Sequence, residues 1–431
     1  MAMTDLRPPL LPLDDVLERM LAVARQRVIS TAETVPTSDA LGRVLAKAVV
    51  SSLDVPPADN TSMDGYAVRA ADVPVAGTVL PVSQRVPAGV VGQPLLPGTA
   101  ARIFTGAQIP PGADAVVMQE QCTAIPEPGT SVDGTGVAAA SALGQVRFDV
   151  APSPWQWIRC RGEDVQQGAE VLAAGTRLTP QGLGLAATVG AATLEVRRRP
   201  RVALFSTGDE LVMPGQPLKP GAIYNSNRFT LRGLLQAAGC EVNDLGIVPD
   251  RLDATREALR RAAHGNDLIL TSGGVSVGEE DHLKPAVQAE GWLEAWQVAM
   301  KPGKPLAFGA VRAEGSERET LFMGLPGNPV SSFVTFLLAV APVLRALQGC
   351  LAQPHAMPAR ADFDWPRPDK RREFLRGRFN AAGGIELFHN QSSGVLTSAA
   401  WAEVLVDNPG GQAVERGDMV QVWPLSALVG A

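Results

Sequence analysis

The stretch that decides the fold is Val202-Ala203-Leu204-Phe205-Ser206-Thr207-Gly208-Asp209-Glu210, an apolar run followed directly by a polar loop. Three later apolar runs end in the same way. They are Val242 to Ile247 before Val248-Pro249-Asp250, Leu268 to Leu270 before Ser272-Gly273-Gly274, and Leu321 to Leu325 before Pro326-Gly327-Asn328-Pro329. Each run predicts a buried strand, and helix-like stretches separate the runs, so parallel strands are expected. The four loops would then meet at the carboxyl edge of the sheet, where open α/β sheets bind ligands.

Length and composition narrow the class of protein. A chain of 431 residues is too long for one core, and a net charge of −6 with only two Tyr disfavours a nucleic-acid or anionic-membrane partner. The cysteines Cys122, Cys160, Cys240 and Cys350 are scattered along the sequence, so a zinc site is not expected. A reduced, cytoplasmic setting is expected instead. Neither a signal peptide nor a membrane span is predicted, although residues 330–347 come closest to a span.

The succession of helical, β-like and alternating strand–helix patterns along the chain predicts an α/β, multidomain protein. Residues 1–50 together with 157–178 would form a helical linking domain that begins with an amphipathic helix near Leu13. Residues 51–156 would form a small β-rich domain, and 179–347 a doubly wound α/β domain in which Asn227 caps a helix. Residues 348–431 would form a C-terminal β-barrel or sandwich.

Several carboxylates fall on the predicted sheet edge. Glu210 and Asp250 follow two of the strands, and Asp281 ends the acidic run Glu279-Glu280-Asp281 after the glycine loop. Such acids also stabilise helix starts, which is the simpler explanation. Gathered on one edge, they would repel each other unless a hard cation such as Mg²⁺ were bound. The sequence therefore favours a metal-assisted site.

Two further strings would handle anions at this edge. Consecutive glycines in Ser272-Gly273-Gly274-Val275-Ser276 let backbone N–H groups approach a phosphate, although a tight turn alone would explain them. Lys301-Pro302-Gly303-Lys304-Pro305 holds two lysines in a stiff segment, and lysines act as point charges for oxyanions. An exposed turn is the alternative for this second string.

The first half of the chain contains motifs whose residues alone do not show whether they are functional or only structural. Asp59 to Ala67 and the turn around Thr105 are rich in capping residues. The run Arg159 to Asp164 combines two guanidiniums with two acids, which suits either an internal salt bridge or a phosphate site. The four histidines are isolated in sequence, and none is assigned a catalytic role.

Read together in chain order, these strings resemble the MoeA family of molybdopterin molybdenumtransferases, and they are also similar to the C-terminal domain of gephyrin. The resemblance covers nearly the whole chain. It implies a homodimer of multidomain subunits whose site lies between the α/β domain of one subunit and the small β domain of the other. It also implies Mg²⁺-assisted cleavage of adenylylated molybdopterin, release of AMP, and use of molybdate to form molybdenum cofactor.

The resemblance assigns roles to residues. Asp59 and Thr105 would line the site from the second subunit, with Asp164 near them. Glu210, Asp250 and Asp281 would form the acidic side and hold the metal, and Lys301 and Lys304 would form the basic side. The pterin nucleotide would be held by Ser272, Gly273, Gly274, Ser276, Pro326, Gly327 and Asn328.

Two features depart from the family pattern. Similar sequences have a lysine four residues before Lys301, where this chain has Gln297, so one positive charge toward an oxyanion would be missing. The segment Pro126 to Gly144, interpreted as a mobile loop, is longer than usual. The sequence leaves open the choice between molybdate and tungstate.

Two other functions compete with this interpretation. One is a gephyrin-like scaffold that binds partner peptides, and the other is a molybdopterin adenylyltransferase, a single small domain that acts one step earlier. The adenylyltransferase and downstream molybdoenzyme maturation proteins would otherwise be expected as partners.

Overall fold

The structure is a computed structural model that describes residues 10–126, 143–275, 282–313, 315, 318–351 and 353–429. The chain forms two compact units. The larger comprises residues 1–47, 174–179 and 195–431, and the smaller comprises residues 48–173 and 180–194. The multidomain α/β fold predicted from sequence is confirmed, and the finer division into four domains stays a prediction.

The larger unit is built on a six-stranded sheet. Its strands, in spatial order, are Glu241–Val248, Arg201–Thr207, Leu268–Ser272, Glu319–Leu325, Pro305–Arg312 and Gly291–Gln297. The first four are the strands expected from the apolar runs, and each pairs in parallel with its neighbour. Their four polar loops therefore emerge at one edge, as predicted. The last two strands are antiparallel and were not predicted.

Helices cover both faces of this sheet. They are Leu13–Arg25, Ser226–Ala237, Leu252–Ala263, Leu283–Glu290 and the run Pro329–Thr335, Phe336–Val340 and Ala341–Leu347, in which Phe336–Val340 is a π-helical turn. The first helix is amphipathic as expected, because Val16, Met20 and Ala24 are fully buried on one face. That face packs in the same core as Val343 and Leu347.

The segment Pro329–Leu347 is long and apolar enough to cross a membrane by composition alone. In the structure, 89% of its most apolar window is buried inside the protein. It is therefore packed as a core helix, which explains an apolar content that exceeds that of a surface helix.

A small barrel completes the larger unit. Its sheet is formed by Met300–Lys301, Arg372–Phe379, Ile385–Leu387, Val404–Asn408, Met419–Pro424 and Met357–Arg360, with short helices at Leu396–Trp401 and Leu425–Val429. Ala361, directly after the last of these strands, bridges Ile385 and closes the ring. The strand Met300–Lys301 pairs in parallel with Arg372 and Glu373, so the lysine segment is part of the barrel sheet.

The smaller unit is also β-rich, as expected. Its six-stranded sheet runs Ala115–Met118, Gly65–Val68, Ala100–Ile103, Val79–Val86, Gln145–Phe148 and Cys122–Ile125. Two short pairs accompany it: Asn60–Thr61 with Ile158–Arg159, and Val49–Val50 with Glu170–Leu172. A helix of this unit spans Pro180–Thr188. Outside these sheets, the described residues also form the short strands Ala32–Pro36, Thr193–Arg197, Leu211–Val212 and Ile223–Tyr224, most of which belong to the larger unit. Most of the segment Pro126 to Gly144 lies outside the described residues.

Candidate active site

A cleft of about 1050 Å³ lies at the carboxyl edge of the parallel strands, with part of its wall formed by the barrel. Most of the residues predicted in the α/β domain line it. They are Glu210, Asp250, Ser272, Gly273, Gly274, Lys301, Lys304, Pro326, Gly327 and Asn328. Asp281 and Ser276 lie outside the described residues. The structure thus brings the four loops together, while the individual roles stay predictions.

Carboxylates line the cleft beside the first two strands of the sheet, Glu241–Val248 and Arg201–Thr207, at the end of the strand order opposite to the strands that flank the lysine segment. Glu210 and Asp250 both line it, and Asp209 accepts a hydrogen bond from the backbone N–H of Asp250 at 3.2 Å. Gly208 gives the Glu210 carboxylate its space, because an added Cβ at Gly208 would lie 2.5 Å from Glu210 Oε2. A side chain at position 208 would therefore crowd the Glu210 carboxylate where it now lies.

The glycine turn requires both of its glycines. Gly273 and Gly274 have φ angles of +92° and +65°, a region that L-residues rarely adopt. A Cβ at Gly273 would lie 3.0 Å from the Thr207 carbonyl oxygen, and one at Gly274 would lie 3.0 Å from Thr207 Oγ1. The Ser272 side chain is buried and lies 3.5 Å from Ser206 Oγ. Backbone rather than side chain is thus presented to the cleft here.

The opposite side of the cleft is basic, and it contains a residue that the sequence did not indicate. Arg371 lines the cleft together with Lys301 and Lys304. Its guanidinium donates to both Asp369 oxygens, at 3.0 and 2.8 Å, and these bonds hold the pKa of Asp369 well below its usual range. Lys301 Nζ donates to the buried Glu373 at 3.1 Å. Arg371 and Lys301 are thereby each oriented by an acid of the barrel.

Hydroxyl groups reach the cleft from a barrel loop, Ser392-Ser393-Gly394, which was also not predicted. Gln391 anchors this loop. Its Oε1 accepts from the Arg376 N–H at 2.8 Å, and its Nε2 donates to the carbonyls of Arg376 and Phe388 at 3.0 Å each. No local signal marks these residues in the sequence, because they approach the cleft only through tertiary packing.

The predicted helix cap at Asn227 is wrong. The helix begins at Ser226, and Asn225 caps it by accepting a hydrogen bond from the Arg228 N–H at 3.1 Å. Asn227 instead donates to the Gly327 carbonyl at 2.7 Å, which ties the helix to the Pro326 loop. Asn225 lines the cleft and is 2% exposed, and its Nδ2 lacks a hydrogen-bond partner among the described residues. A substrate oxygen would satisfy that donor.

The donor set fits Mg²⁺ but is incomplete by itself. Mg²⁺ is commonly held by one or two carboxylates together with substrate phosphates and water. Glu210 and Asp250 supply two carboxylates to one cleft. Within the described part of the chain, His, Cys, Asp and Glu form no group of three that could hold a metal. These two carboxylates are therefore suited to a metal shared with a phosphate-bearing substrate.

The remaining predicted residues lie in the smaller unit. Asp59 accepts a hydrogen bond from the Arg161 N–H at 2.7 Å. Arg161 lies three residues before Asp164, so this bond brings Asp59 to the segment that contains Asp164. Thr105 donates through both its N–H and its Oγ1 to Asp64, at 2.7 Å each, which holds the pKa of Asp64 below its usual range. Asp64 thus orients Thr105. Arg161 pairs with Asp54 at 2.6 Å, an acid outside the run Arg159 to Asp164, and Glu163 accepts from the Cys160 N–H at 2.9 Å.

Gln297 ends the edge strand Gly291–Gln297, directly opposite Pro305. It is half-buried, and its carbonyl accepts from the Leu11 N–H at 2.9 Å. Pro305 lines the cleft, whereas Gln297 is absent from the described residues that do so.

A second cavity, of about 480 Å³, lies at the opposite edge of the sheet, where charged side chains are paired. Asp267 accepts from Arg198 at 2.9 and 3.0 Å, from the Arg201 N–H at 2.9 Å and from Arg318 at 2.6 Å. Burial alone would raise the pKa of Asp267, but these hydrogen bonds outweigh burial and lower it. The pairing indicates a structural role.

Known proteins resemble this chain over nearly its whole length. The family model described as the MoeA N-terminal region (domain I and II) matches residues 11–190. A probable molybdopterin binding domain matches residues 203–346, and the MoeA C-terminal region (domain IV) matches residues 358–425. Molybdopterin molybdenumtransferase of Haemophilus influenzae is 39% identical over 401 residues, which cover 91% of this chain and 93% of that protein.

The chain belongs to the MoeA family of molybdopterin molybdenumtransferases. A second family member, molybdopterin molybdenumtransferase of Nostoc, is 37% identical over 89% of this chain and 86% of its own length. The crystal structure of the molybdopterin biosynthesis MoeA protein from Pyrococcus horikoshii matches with a TM-score of 0.79 and 28% identity, covering 96% of this chain and all of that one. These matches favour neither the scaffold nor the single-domain adenylyltransferase.

Proposed function

We propose that the cleft binds adenylylated molybdopterin and molybdate together and transfers molybdenum to the pterin dithiolene, with release of AMP. The observation that carries this proposal is that one cleft at the carboxyl edge of the sheet is lined both by acids, beside the first strands of the sheet, and by cations, beside its last strands and the barrel. Substrates that bear phosphates and a metal oxyanion require both. Family membership, argued above, supplies the class of reaction.

The residues of the cleft divide the binding between them. The backbone of the turn Gly273-Gly274 would approach the pterin phosphate, and Asn225 Nδ2 would donate to a substrate oxygen. Lys301, Lys304 and Arg371 would attract molybdate, with the Ser392 hydroxyl as a further donor. Because barrel acids hold Lys301 and Arg371 in place, little reorganisation is needed when an oxyanion binds.

Glu210 and Asp250 would hold Mg²⁺, and Asp281 is proposed to join them. When bound, the cation would neutralise charge on the phosphoanhydride that is broken. The carboxylates position that charge, while the lysines and Arg371 act on the molybdate side. The two functions are thereby kept on opposite sides of the cleft.

The same cleft argues against a covalent enzyme intermediate. Among the described residues that line it there is neither a cysteine nor a histidine. The buried Cys240 lies elsewhere, and burial raises the pKa of its thiol to about 12. Cleavage of the phosphoanhydride by direct, in-line attack of a water or molybdate oxygen on the pterin phosphorus, in which AMP is the leaving group, suits these residues better.

The decisive assay supplies adenylylated molybdopterin, Mg²⁺ and molybdate, and follows AMP release together with formation of molybdenum cofactor. Turnover without added ATP is expected. ATP consumption would instead support an adenylyltransferase, and capture of a peptide partner without turnover would support a scaffold.

We further propose that the protein works in the cytoplasm as a homodimer in which Asp59, Thr105 and Asp164 of one subunit serve the cleft of the other. Mixing inactive Asp59→Ala and Glu210→Ala proteins should restore part of the AMP release, because a mixed dimer would keep one intact site. Zero activity after proven subunit exchange would place every site within one chain.

A further inference from the structure

Two tryptophans of the smaller unit combine exposure with an unusual backbone conformation. Trp155 is 58% exposed and Trp157 is 37% exposed. Their φ angles are +66° and +59°, and within the described part of the chain they are the two non-glycine residues with a positive φ. A bulky L-residue rarely adopts this region, because its Cβ crowds the following carbonyl oxygen, whereas glycine adopts it freely. The indoles are therefore present at a cost in stability, which indicates a role other than packing.

Backbone hydrogen bonds fix the first half of the turn that carries the indoles. The Trp155 N–H donates to the Asp114 carbonyl at 2.6 Å. The next carbonyl, that of Gln156, accepts from the Val116 N–H at 3.0 Å. The turn thus lies along the edge of the strand Ala115–Met118 and is attached to it by its main chain. Because the backbone is already ordered, little conformational freedom remains to be lost when a ligand meets the side chains.

The second tryptophan begins the short ribbon that holds the predicted site residues of this unit. The Trp157 carbonyl accepts from the Ser62 N–H at 3.0 Å and from Ser62 Oγ at 3.1 Å. At the other end of the ribbon, Asp59 accepts from the Arg161 N–H. Four residues separate Trp157 from Arg161, or roughly 13 Å of extended chain. A ligand of nucleotide size would therefore reach from the indoles to Asp59.

Exposed indoles at one end of a polar ribbon suit a flat ligand. Single exposed aromatic residues are ordinary on protein surfaces, but two at strained positions of one turn are not. An indole offers a wide flat face, on which a heterocyclic ring gains stacking contacts and leaves water. The substrate proposed above contains two such rings, the adenine and the pterin.

We propose that Trp155 and Trp157 form a stacking platform for a planar nitrogen heterocycle of the nucleotide substrate that is bound in the cleft of the other subunit. The inference rests on the proposed function and its homodimer, which bring the smaller unit of one chain to the cleft of its partner. It adds recognition of the ring to the roles proposed for Asp59, Thr105 and Asp164. The two indoles would select a substrate by its flat ring, whereas the cleft residues select it by charge.

The first test uses the full-length protein and measures binding by equilibrium dialysis in the presence of Mg²⁺. The ligands are AMP, molybdopterin without the adenylyl group, and ribose 5-phosphate, which has the sugar and phosphate of AMP but no ring. Combining Trp155→Ala with Trp157→Ala should weaken AMP or molybdopterin at least about fivefold and leave ribose 5-phosphate unchanged. The ligand that weakens identifies the ring that meets the indoles. Unchanged affinity for both AMP and molybdopterin would overturn the inference.

Single variants separate stacking from a structural role. Trp155→Gly should unfold at a urea concentration no lower than that of the wild type, because glycine relieves the strain, yet it should bind the ring-bearing ligand more weakly. Trp155→Phe should retain most of the affinity. Phe379→Ala is the matched control, because Phe379 is 39% exposed on the barrel and should affect neither property. A lower urea midpoint for Trp155→Gly with unchanged ligand affinity would assign a structural role and overturn the inference.

A measurement on the unmutated sequence decides if the alanine variant does not fold. The chain has seven tryptophans, and fluorine NMR of protein labelled with 5-fluorotryptophan reports on each of them. Trp155→Phe and Trp157→Phe assign the two resonances of interest. Both should shift on addition of AMP or molybdopterin, and resonances that stay in place at saturating concentrations of both ligands would overturn the inference. So would conversion of the alanine variant from dimer to monomer in gel filtration, because the indoles would then cover a subunit interface.

The outcome is separable from that of the proposed function. Ring binding that depends on the indoles, without AMP release from adenylylated molybdopterin, would refute the proposed reaction and leave the platform standing. AMP release by the alanine variant with the KM of the wild type would refute the platform alone.

Discussion

Replacing Gly273 by alanine tests whether the glycine turn serves the cleft. Its φ of +92° lies in the left-handed region, where an L-residue costs about 1–2 kcal/mol. The added Cβ would also lie 3.0 Å from the backbone carbonyl of Thr207, which cannot move aside as a side chain can. That crowding should add about 1 kcal/mol, the low end of the cost of overpacking. The total loss in the free energy of unfolding should be about 2–3 kcal/mol.

The effect on turnover follows from the same displacement. If the turn moves by a few tenths of an ångström, its N–H groups no longer meet the pterin phosphate at the best distance. We expect AMP release to fall at least about fivefold, which corresponds to about 1 kcal/mol of transition-state stabilisation.

Gly265→Ala provides the control. Gly265 has a φ of +76°, follows a helix of the same unit, and an added Cβ would meet nothing within 4 Å. This variant should lose about 1–2 kcal/mol by strain alone and keep its turnover. Urea denaturation and AMP release are measured for both variants and the wild type. Near-normal AMP release by Gly273→Ala would refute the reasoning. A fall in AMP release by Gly265→Ala as large as that of Gly273→Ala would refute it too.

Three other predictions concern charge. Glu210→Gln should lower AMP release at least about tenfold, or about 1.4 kcal/mol, whereas Asp253→Asn on the exposed helix start should not; equal rates in AMP assays over a range of Mg²⁺ would contradict this. Gln297→Lys should lower the molybdate concentration for half-maximal rate, with a gain that shrinks at high salt; an unchanged requirement at low salt would mean that position 297 does not reach the oxyanion. Asp267→Asn should lower the free energy of unfolding by about 3 kcal/mol at neutral pH. Because the folded pKa of Asp267 is lowered, its contribution is present above the unfolded value of about 3.9 and is lost as pH falls through the folded pKa, so denaturation at pH 3 and pH 7 should show the gap between the two proteins shrinking in acid.

The sequence was sufficient to predict the site residues that come shortly after a predicted strand. Glu210, Asp250 and Gly273 each lie within five residues of the end of an apolar run, so predicting the strand also placed the residue at the sheet edge. Parallel pairing then brought the loops together without further information. The antiparallel strands Pro305–Arg312 and Gly291–Gln297 escaped prediction because a short apolar run does not by itself distinguish strand from helix.

Residues that reach the cleft by tertiary packing could not be predicted in this way. Arg371 and Ser392 lie in the barrel, and only the pairing of Met300–Lys301 with the barrel sheet brings them to the lysines. The cap was misplaced because Asn225 and Asn227 are two residues apart and both suit a helix start. Their side chains separate into a cap and a loop tie only in the folded structure.

The pairing of Met300–Lys301 with the barrel also limits how this protein can be divided or recombined. Separating the chain between the α/β portion and the barrel would leave Lys301 without its partner Glu373 and would remove one wall of the cleft. A chimera that exchanges barrels between relatives would therefore have to transfer the lysine segment with the barrel, or match Asp369, Glu373 and Gln391 at the seam. The segment that can be exchanged between relatives is therefore the barrel together with the lysine segment that pairs with it.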